Sequence, residues 1–374
     1  MSWSIFWRIS PVAMAELEKD RLLTLRQEID RIDTEILRLL SERGRLTQAV
    51  AECKEAAGST QFYHPDREAE ILRRVMAENP GPFSAAHVGM IFREIISAGL
   101  ALEQPLQVAY LGPAGTFSQL AAEKHFGHAA CFQPTSNIAE IFRQTDSGAT
   151  QFGVVPVENS TEGAVNQTLD LMLDYPLQIC GEVELRIVHN LVASIPRSAI
   201  RRVHVHYQTR AQCRQWLAQN LPTVELCDAP SNAEAAQRAA ADPEGAAIST
   251  LAAAAHAGLQ VLVKGIEDNP ENSTRFWVIG KISTRSTGAD KTSIVVGGAH
   301  RAGSLHALLA PFAAAGISLT RIESRPARSA RWQYVFYLDF LGHQQDSGVQ
   351  DALQILQEQA AFLRVLGSYP KAVY

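Results

Sequence analysis

The chain has 374 residues, of which 46% are apolar and 20% charged, and a formal net charge of -5. That length predicts two or three globular domains with ample core, and an acidic balance without a Lys/Arg run argues against nucleic acid as the main ligand. The five cysteines (Cys53, Cys131, Cys180, Cys213 and Cys227) are odd in number and lack a C-x-x-C pair. This pattern predicts reduced, buried thiols, a cytosolic setting and no structural zinc site.

The first 14 residues, MSWSIFWRISPVAM, place Arg8 mid-segment and Pro11 after it, with no basic stretch ahead of an apolar core. They read as a disordered extension with Met14 as the working start. No apolar stretch reads as long enough to cross a bilayer. From 15 to 56 there is no Pro and glycine occurs only at Gly44. Leu22, Leu25, Ile29, Ile32, Ile36, Leu39, Leu46 and Val50 recur in steps of three and four, interrupted by Arg43. This is the signature of one long amphipathic helix, roughly 60 Å at about 1.5 Å per residue. A small domain cannot wrap such a rod, so a second chain is expected to cover part of the stripe. Gly58-Ser59-Thr60 ends the helix, Pro65-Asp66 begins a second near 65–78, and Ser84 caps a third that runs to about 103. With no strand expected before residue 105, this is an all-α unit.

Glu103-Gln104-Pro105 marks a junction, after which β-rich runs alternate with helical stretches: Gln107–Leu111, 153–156, 185–194, 246–248 and 274–280. This is the texture of an α/β domain. A linker is expected at 283–290. The last block reads as strand 292–297, helix 303–315, strands 317–324 and 332–341, helix 347–360 and strand 362–368. That βαββαβ order is ferredoxin-like.

Chemistry begins at Arg43, because a guanidinium inside an apolar stripe needs a carboxylate, either Glu42 or Glu68 or a ligand. Lys54 lies eleven residues on, close to three turns, so both cations share a face suited to a dicarboxylate. With these residues, Leu23-Thr24-Leu25-Arg26, Asp66-Arg67-Glu68 and Ile91-Phe92-Arg93-Glu94-Ile95-Ile96 resemble the all-helical chorismate mutases, a family of interlocked dimers. The resemblance implies that Arg26, from the partner subunit, and Arg43 grip the substrate carboxylates. Lys54 would bond the ether oxygen, and Arg67 and Glu68 would flank the ring, with Glu68 on its hydroxyl. Gly99 stands where the family often has a small hydroxyl residue, and Glu103 where some members have Gln. The pericyclic shift needs no nucleophile or metal, only a compact substrate conformation and stabilised charge on the breaking ether. Lys54 and Glu103 are the expected catalytic groups.

Three polar loops follow, Gly112-Pro113-Ala114-Gly115-Thr116-Phe117-Ser118, Glu158-Asn159-Ser160-Thr161-Glu162-Gly163 and Asn272-Ser273-Thr274-Arg275-Phe276. Together and in this order they resemble prephenate dehydratase over about 107–280, a family with two α/β lobes and a cleft between them. The resemblance makes Thr274 the group that assists hydroxyl departure, by donating a hydrogen bond or relaying a proton, because an ordinary Thr is a poor acid. Arg275 would fix a carboxylate or order its loop. Thr116, Ser118, Glu158, Asn159, Ser160 and Phe276 complete the expected substrate contacts. His206, Gln208 and Gln212 join them from a loop in which Val205 and Tyr207 replace the family's Ser and Pro.

In the last block, Gly303-Ser304-Leu305 and Glu323-Ser324-Arg325-Pro326 resemble the phenylalanine-binding motifs of ACT domains, with Ala302 where Pro is usual. The reading as a whole is a multidomain chain. An extension at 1–14 precedes an all-helical chorismate mutase domain (15–104), a two-lobed α/β prephenate dehydratase domain (106–283) and an α+β ferredoxin-like ACT domain (291–374). Such a chain would take chorismate through prephenate to phenylpyruvate in the cytoplasm, inhibited by L-phenylalanine. It would be a homodimer or higher homo-oligomer without cofactor or metal, and would bind neither nucleic acid nor membrane. The alternatives are a monofunctional prephenate dehydratase whose mutase-like domain only dimerises, and a non-catalytic amino-acid sensor. Retention of both Arg26/Arg43/Lys54 and Thr274-Arg275-Phe276 speaks against the sensor.

Overall fold

The computed structural model describes residues 11–58 (side chains from Glu18 onward), 63–298, 301–326 and 334–373. Residues 1–10 of the extension expected at 1–14, the Ser59-Thr60 stop and the first residues of the strand expected at 332 lie outside the described residues. The chain forms two compact units, Met1–Phe62 and Tyr63–Tyr374.

Among the described residues, the first unit is one helix, α1 (Pro11–Ala56), which begins inside the segment expected as an extension. Its stripe from Leu22 to Val50 is 47–63% exposed, too open for the apolar face of a finished fold. Outside the stripe, Arg38 pairs with Glu35 at 2.7 Å and Glu42 at 3.0 Å.

In the second unit, α2 (Pro65–Ala77) starts on a proline pre-set for the first helical turn, and α3 (Ala85–Glu103) is capped by Ser84, whose Oγ accepts from the His87 N–H at 3.2 Å. Against expectation, α3 is long and apolar enough to match a membrane span. It packs on α2 and buries Arg93 in an ion pair with Glu68. The compact boundary falls inside the expected helical domain because α2 and α3 dock on the α/β region. Ser97 Oγ accepts from the Ala129 N–H at 3.2 Å, Glu94 meets His128 Nδ1 at 2.8 Å, and Arg73 donates to Thr287 Oγ1 at 2.7 Å.

The first lobe follows as β1 (Gln107–Leu111), α4 (Phe117–Phe126), β2 (Cys131–Thr135), α5 (Ile138–Ser147), β3 (Phe152–Asn159), β4 (Gly163–Ala164), α6 (Asn166–Asp174) and β5 (Gln178–Arg186). The chain then crosses into a second lobe: β6 (Asn190–Ala193), β7 (Arg202–Val205), α7 (Tyr207–Gln212), α8 (Arg214–Asn220), β8 (Glu225–Asp228), α9 (Asn232–Ala241), β9 (Gly245–Ser249), α10 (Leu251–His256) and β10 (Gln260–Lys264). It returns as β11 (Ser273–Gly280) to the middle of the first sheet, whose order is β2-β1-β3-β11-β5 with β4 on β3. The second sheet runs β10-β6-β9-β7-β8. The β-rich run expected at 185–194 falls on two strands in two sheets, split where the chain changes lobe. The crossing segments bond each other, Ile187 N–H to Asn272 O at 2.8 Å and Ile266 N–H to His189 O at 2.9 Å.

The last domain is β12 (Asp290–Gly297), α11 (Ser304–Ala314), β13 (Leu319–Pro326), β14 (Tyr334–Leu341), α12 (Ser347–Gln359) and β15 (Phe362–Pro370), in sheet order β13-β14-β12-β15. One face of this sheet carries α11 and α12. The other shares a core with the first lobe, where Val295, Tyr337, Leu366 and Tyr369 pack with Val155, Leu169, Ile179 and Trp277. The expected linker is thus no loose tether, because Thr284 and Asp290 are buried and Thr284 Oγ1 donates to Ser368 O at 2.6 Å. All five cysteines are free, but only Cys180 and Cys213 are buried; Cys53 and Cys131 are exposed and Cys227 is intermediate, so burial holds for two of the five expected.

Candidate active and regulatory sites

Of the expected mutase residues, Arg26, Arg43 and Lys54 lie on α1. Arg26 is exposed and the other two are partly covered. Burial draws the Arg43 pKa below its ordinary value. The two carboxylates expected beside Arg43 are engaged by other cations, Glu42 by Arg38 and Glu68 by Arg93. Arg67 is exposed on α2, Gly99 is buried on α3, and Glu103 ends α3 one turn beyond Gly99. Glu68 is buried against Arg93. Sequence reasoning missed Arg93 as its partner, although Arg93 was in the quoted motif.

The dehydratase residues converge where the two lobes meet. Strand pairing sets Thr274 opposite Asn159 and Arg275 opposite Glu158, so two of the three loops are held in register by one ladder. Asn159 Nδ2 donates to Thr274 Oγ1 at 2.9 Å, and lies 3.1 Å from Asn272 Oδ1 and 3.2 Å from Ser273 O. Its Oδ1 accepts from the N–H groups of Thr161 and Glu162, closing the turn. Ser160 Oγ accepts from the Ser273 N–H at 3.0 Å. A hydroxyl has one proton and two lone pairs. Because Thr274 Oγ1 accepts from Asn159, its own proton is left to donate.

The second lobe reaches the same place through α7. Gln208 Nε2 donates to Glu162, and Gln212 Nε2 lies 3.3 Å from Glu162 Oε1. Gln212 Oε1 accepts from Asn272 Nδ2 at 3.0 Å and meets His189 Nε2 at 2.8 Å. His206 caps α7 against the Tyr207 ring at 4.4 Å, and burial lowers its pKa with Glu162 opposing. His189 is buried on the crossing segment, edge-on to Phe117 at 5.6 Å, and burial likewise lowers its pKa, with Gln212 and Glu267 opposing. His189 is thus kept as neutral imidazole beside the polar cluster.

The first loop approaches from α4. Thr116 Oγ1 donates to Leu111 O at 2.9 Å, and Ser118 is buried in the first turn. Gly115, at φ +85°, brings its backbone against α10 of the other lobe, where a Cβ would stand 2.8 Å from Ala253 Cα; its carbonyl accepts from Thr250 Oγ1 at 2.6 Å. Only glycine accepts both that dihedral and that approach.

Phe276 and Arg275 take different surroundings from these polar groups. Phe276 is 2% exposed and packs in the first-lobe core, because strand alternation turns it to the face opposite Arg275. Of the two roles expected of Arg275, its contacts suit the ordering of its loop: it meets Asp339 at 2.6 Å, Glu158 at 3.2 Å and Glu182 at 3.8 Å. Sequence reasoning missed Asn272, Glu162 and His189. The first two lay inside quoted motifs, where the hydrogen-bonding side chains could have been counted, whereas nothing in the sequence marks His189.

In the last domain, Gly303 adopts φ +79° as the N-cap of α11, ahead of Ser304 and Leu305. Glu323, Ser324, Arg325 and Pro326 end β13; Ser324 and Pro326 are exposed, and Arg325 pairs with Asp170 at 3.1 Å.

The fold and these clusters define a multidomain chain with an all-helical segment, a two-lobed α/β cleft and a ferredoxin-like module. The Chorismate mutase type II family model matches residues 25–104, Prephenate dehydratase residues 108–284 and ACT domain residues 292–358. Over 95% of the chain and 99% of the relative, it is 51% identical to a bifunctional chorismate mutase/prephenate dehydratase of Stutzerimonas stutzeri. It is 50% identical, over the same shares, to that of Pseudomonas aeruginosa. A crystal structure of prephenate dehydratase from Arthrobacter aurescens in complex with L-Phe is 36% identical, with a TM-score of 0.66 over 71% of this chain and 90% of that one. The chain belongs to the bifunctional chorismate mutase/prephenate dehydratase family.

Proposed function

We propose that this chain catalyses two successive reactions of phenylalanine biosynthesis, chorismate to prephenate and prephenate to phenylpyruvate, and that L-phenylalanine restrains the second. The observation that carries the dehydratase reading is the Asn159–Thr274 bond, which leaves the Thr274 proton to donate. The C–C bond to the ring carboxylate breaks and its electron pair completes the aromatic ring as CO2 leaves. The C–O bond breaks toward the hydroxyl, which departs as water on taking a proton. Thr274 supplies the hydrogen bond to that oxygen, and neutral donors around Asn159, Ser160 and Gln212 orient prephenate without adding charge. Thr116, Ser118, His206 and Gln208 are assigned to the same cleft.

The mutase reading rests on Arg26, Arg43 and Lys54 along α1, with Arg67, Glu68, Gly99 and Glu103 completing the site. Cations hold the two carboxylates of chorismate compactly, and Lys54 and Glu103 stabilise charge on the ether oxygen. The exposed α1 stripe favours a homodimer in which Arg26 of the partner subunit completes each site. Phenylalanine is assigned to Gly303–Leu305 and Glu323–Pro326, as befits a relative of a dehydratase crystallised with L-Phe. The functional domains are assigned to 15–104, 106–283 and 291–374, and the free cysteines suit a cytoplasmic enzyme.

The test is the purified full chain with chorismate, following prephenate and phenylpyruvate separately. Both should form, and added L-phenylalanine should slow only the second. Prephenate without phenylpyruvate, or neither product, would refute the bifunctional assignment.

A further inference from the structure

The ladder that pairs Thr274 with Asn159 pairs Arg275 with Glu158 one residue further on. Both members of that second pair are gripped by the ACT sheet. Arg275 Nη2 donates to Asp339 Oδ2 at 2.6 Å, and Arg321 Nε stands 3.2 Å from Glu158 Oε2, the oxygen that Arg275 Nη2 also approaches at 3.2 Å. Asp339 and Arg321 face each other across β14 and β13. Asp339 is 1% exposed, and its other oxygen accepts from Ser293 Oγ at 2.6 Å. Lys291 closes the cluster on Glu182 at 2.8 Å. Three cations thus meet three carboxylates across the domain boundary.

The cluster is more than a staple between domains. Arg321 is buried, yet among the described residues its Nη1 and Nη2 have no hydrogen-bond partner, and its Nε meets Glu158 at ion-pair distance without hydrogen-bond geometry. A desolvated guanidinium with so few bonds is an expensive way to hold two domains that already share an apolar core. Among the described residues, the carboxylate it pairs with is Glu158, next to Asn159.

We propose that Arg321 and Asp339 are positioning residues for prephenate dehydration: they fix Glu158 and Arg275, and through these the backbone that carries Asn159 and Thr274. The inference rests on Thr274 as the dehydratase hydroxyl. Adjacent Cα atoms are about 3.8 Å apart, so a shift of the Arg275–Glu158 pair reaches Thr274 and Asn159 with little attenuation. Strand β13 joins this grip to the phenylalanine motif. Arg321, Glu323 and Arg325 alternate toward the dehydratase lobe, while Ile322, Ser324 and Pro326 face outward. An amino acid bound on the outer face therefore acts on a strand whose inner face holds Glu158.

The test uses the full chain, with dehydratase kcat, KM for prephenate and mutase rate measured on each variant. Arg321→Met is expected to lower dehydratase kcat about 10- to 100-fold, the scale of a small misplacement of reacting groups, with KM changed less than about 2-fold and the mutase rate that of the parent. Arg321→Lys should recover at least about half of the logarithmic loss. Glu158→Gln lowers dehydratase kcat by itself, and adding Arg321→Met should lower it less than about 2-fold further, because both act through one contact. Asp339→Asn, which keeps shape and loses charge, is expected to lower kcat about 10-fold and serves if Arg321→Met does not fold. A parent-like kcat in Arg321→Met or Asp339→Asn, multiplicative losses in the double variant, or equal loss of mutase activity would overturn the inference. If Thr274→Ala is inactive while these variants match the parent, the positioning role alone fails; if Thr274→Ala is fully active, the assignment beneath it fails.

Discussion

Replacing Thr274 by Ala removes one hydroxyl from a site whose scaffold survives the change. Asn159 Nδ2 loses its 2.9 Å acceptor but keeps Asn272 Oδ1 at 3.1 Å and Ser273 O at 3.2 Å. Thr274 is only partly buried, so the loss of one hydrogen bond should cost about 1 kcal/mol of stability. The effect on the reaction is larger, because the donor is aimed at charge that develops as the hydroxyl leaves. Removal of one such pre-oriented donor costs about 3–4 kcal/mol of barrier, or 10²–10³ in kcat. Thr274→Ala should therefore lose phenylpyruvate formation by that factor while still consuming chorismate at the parent rate, since the mutase residues lie elsewhere in the chain. Thr274→Ser, which restores the proton, should recover most of the loss. The assay follows chorismate, prephenate and phenylpyruvate in one reaction; accumulation of prephenate is the signature. Equal loss of both activities in a folded variant, or an Ala variant within a few-fold of the parent in phenylpyruvate formation, would refute the reasoning.

Asn272→Ala should lower dehydratase kcat/KM by about 10² and stability by about 1–3 kcal/mol, because a buried side chain that serves Asn159, Ser160 and Gln212 is lost; parent-like dehydratase kinetics would contradict this. His125 is buried against Tyr63 at 3.1 Å, and burial holds its pKa at about 3 against 6.5 unfolded, so it folds neutral. Its contribution is present above pH 6.5 and is lost as pH falls toward 3. About 2 kcal/mol should go between pH 7 and 5, read as a denaturant midpoint, and His125→Gln should flatten that slope; parallel curves would exclude it. Glu103→Gln supplies a permanent donor and should retain mutase activity, whereas Glu103→Ala should lose about 10² in kcat; an Ala variant as active as the parent removes Glu103 from the reaction. Residues 15–104 expressed alone should sediment as an active dimer, and a fully active monomer would show that Arg26 does not act across subunits.

Local pattern reached far into this protein. The three helices, the junction at Pro105 and the βαββαβ order of the last block follow from periodicity and punctuation, which act over a few residues and survive without tertiary context. The three polar loops were also legible, because a site built from hydroxyls and amides in fixed order is written in consecutive residues. What the sequence could not determine is which way each side chain in a motif turns and what it meets. Arg275 and Phe276 sit side by side in one motif. Strand alternation and the packing of a second sheet send the first into an ion cluster with Asp339 and the second into the core. The run at 185–194 reads only as β-rich, and the passage between two sheets is what divides it near His189. Glu68 and Arg93, 25 residues apart, become partners because α2 and α3 fold against each other. Arg321 and Glu158, 163 residues apart, meet only because the ACT sheet lays its open face on the dehydratase lobe. Contacts between distant segments depend on how whole surfaces fit, and that complementarity is not a property of any stretch of chain read by itself.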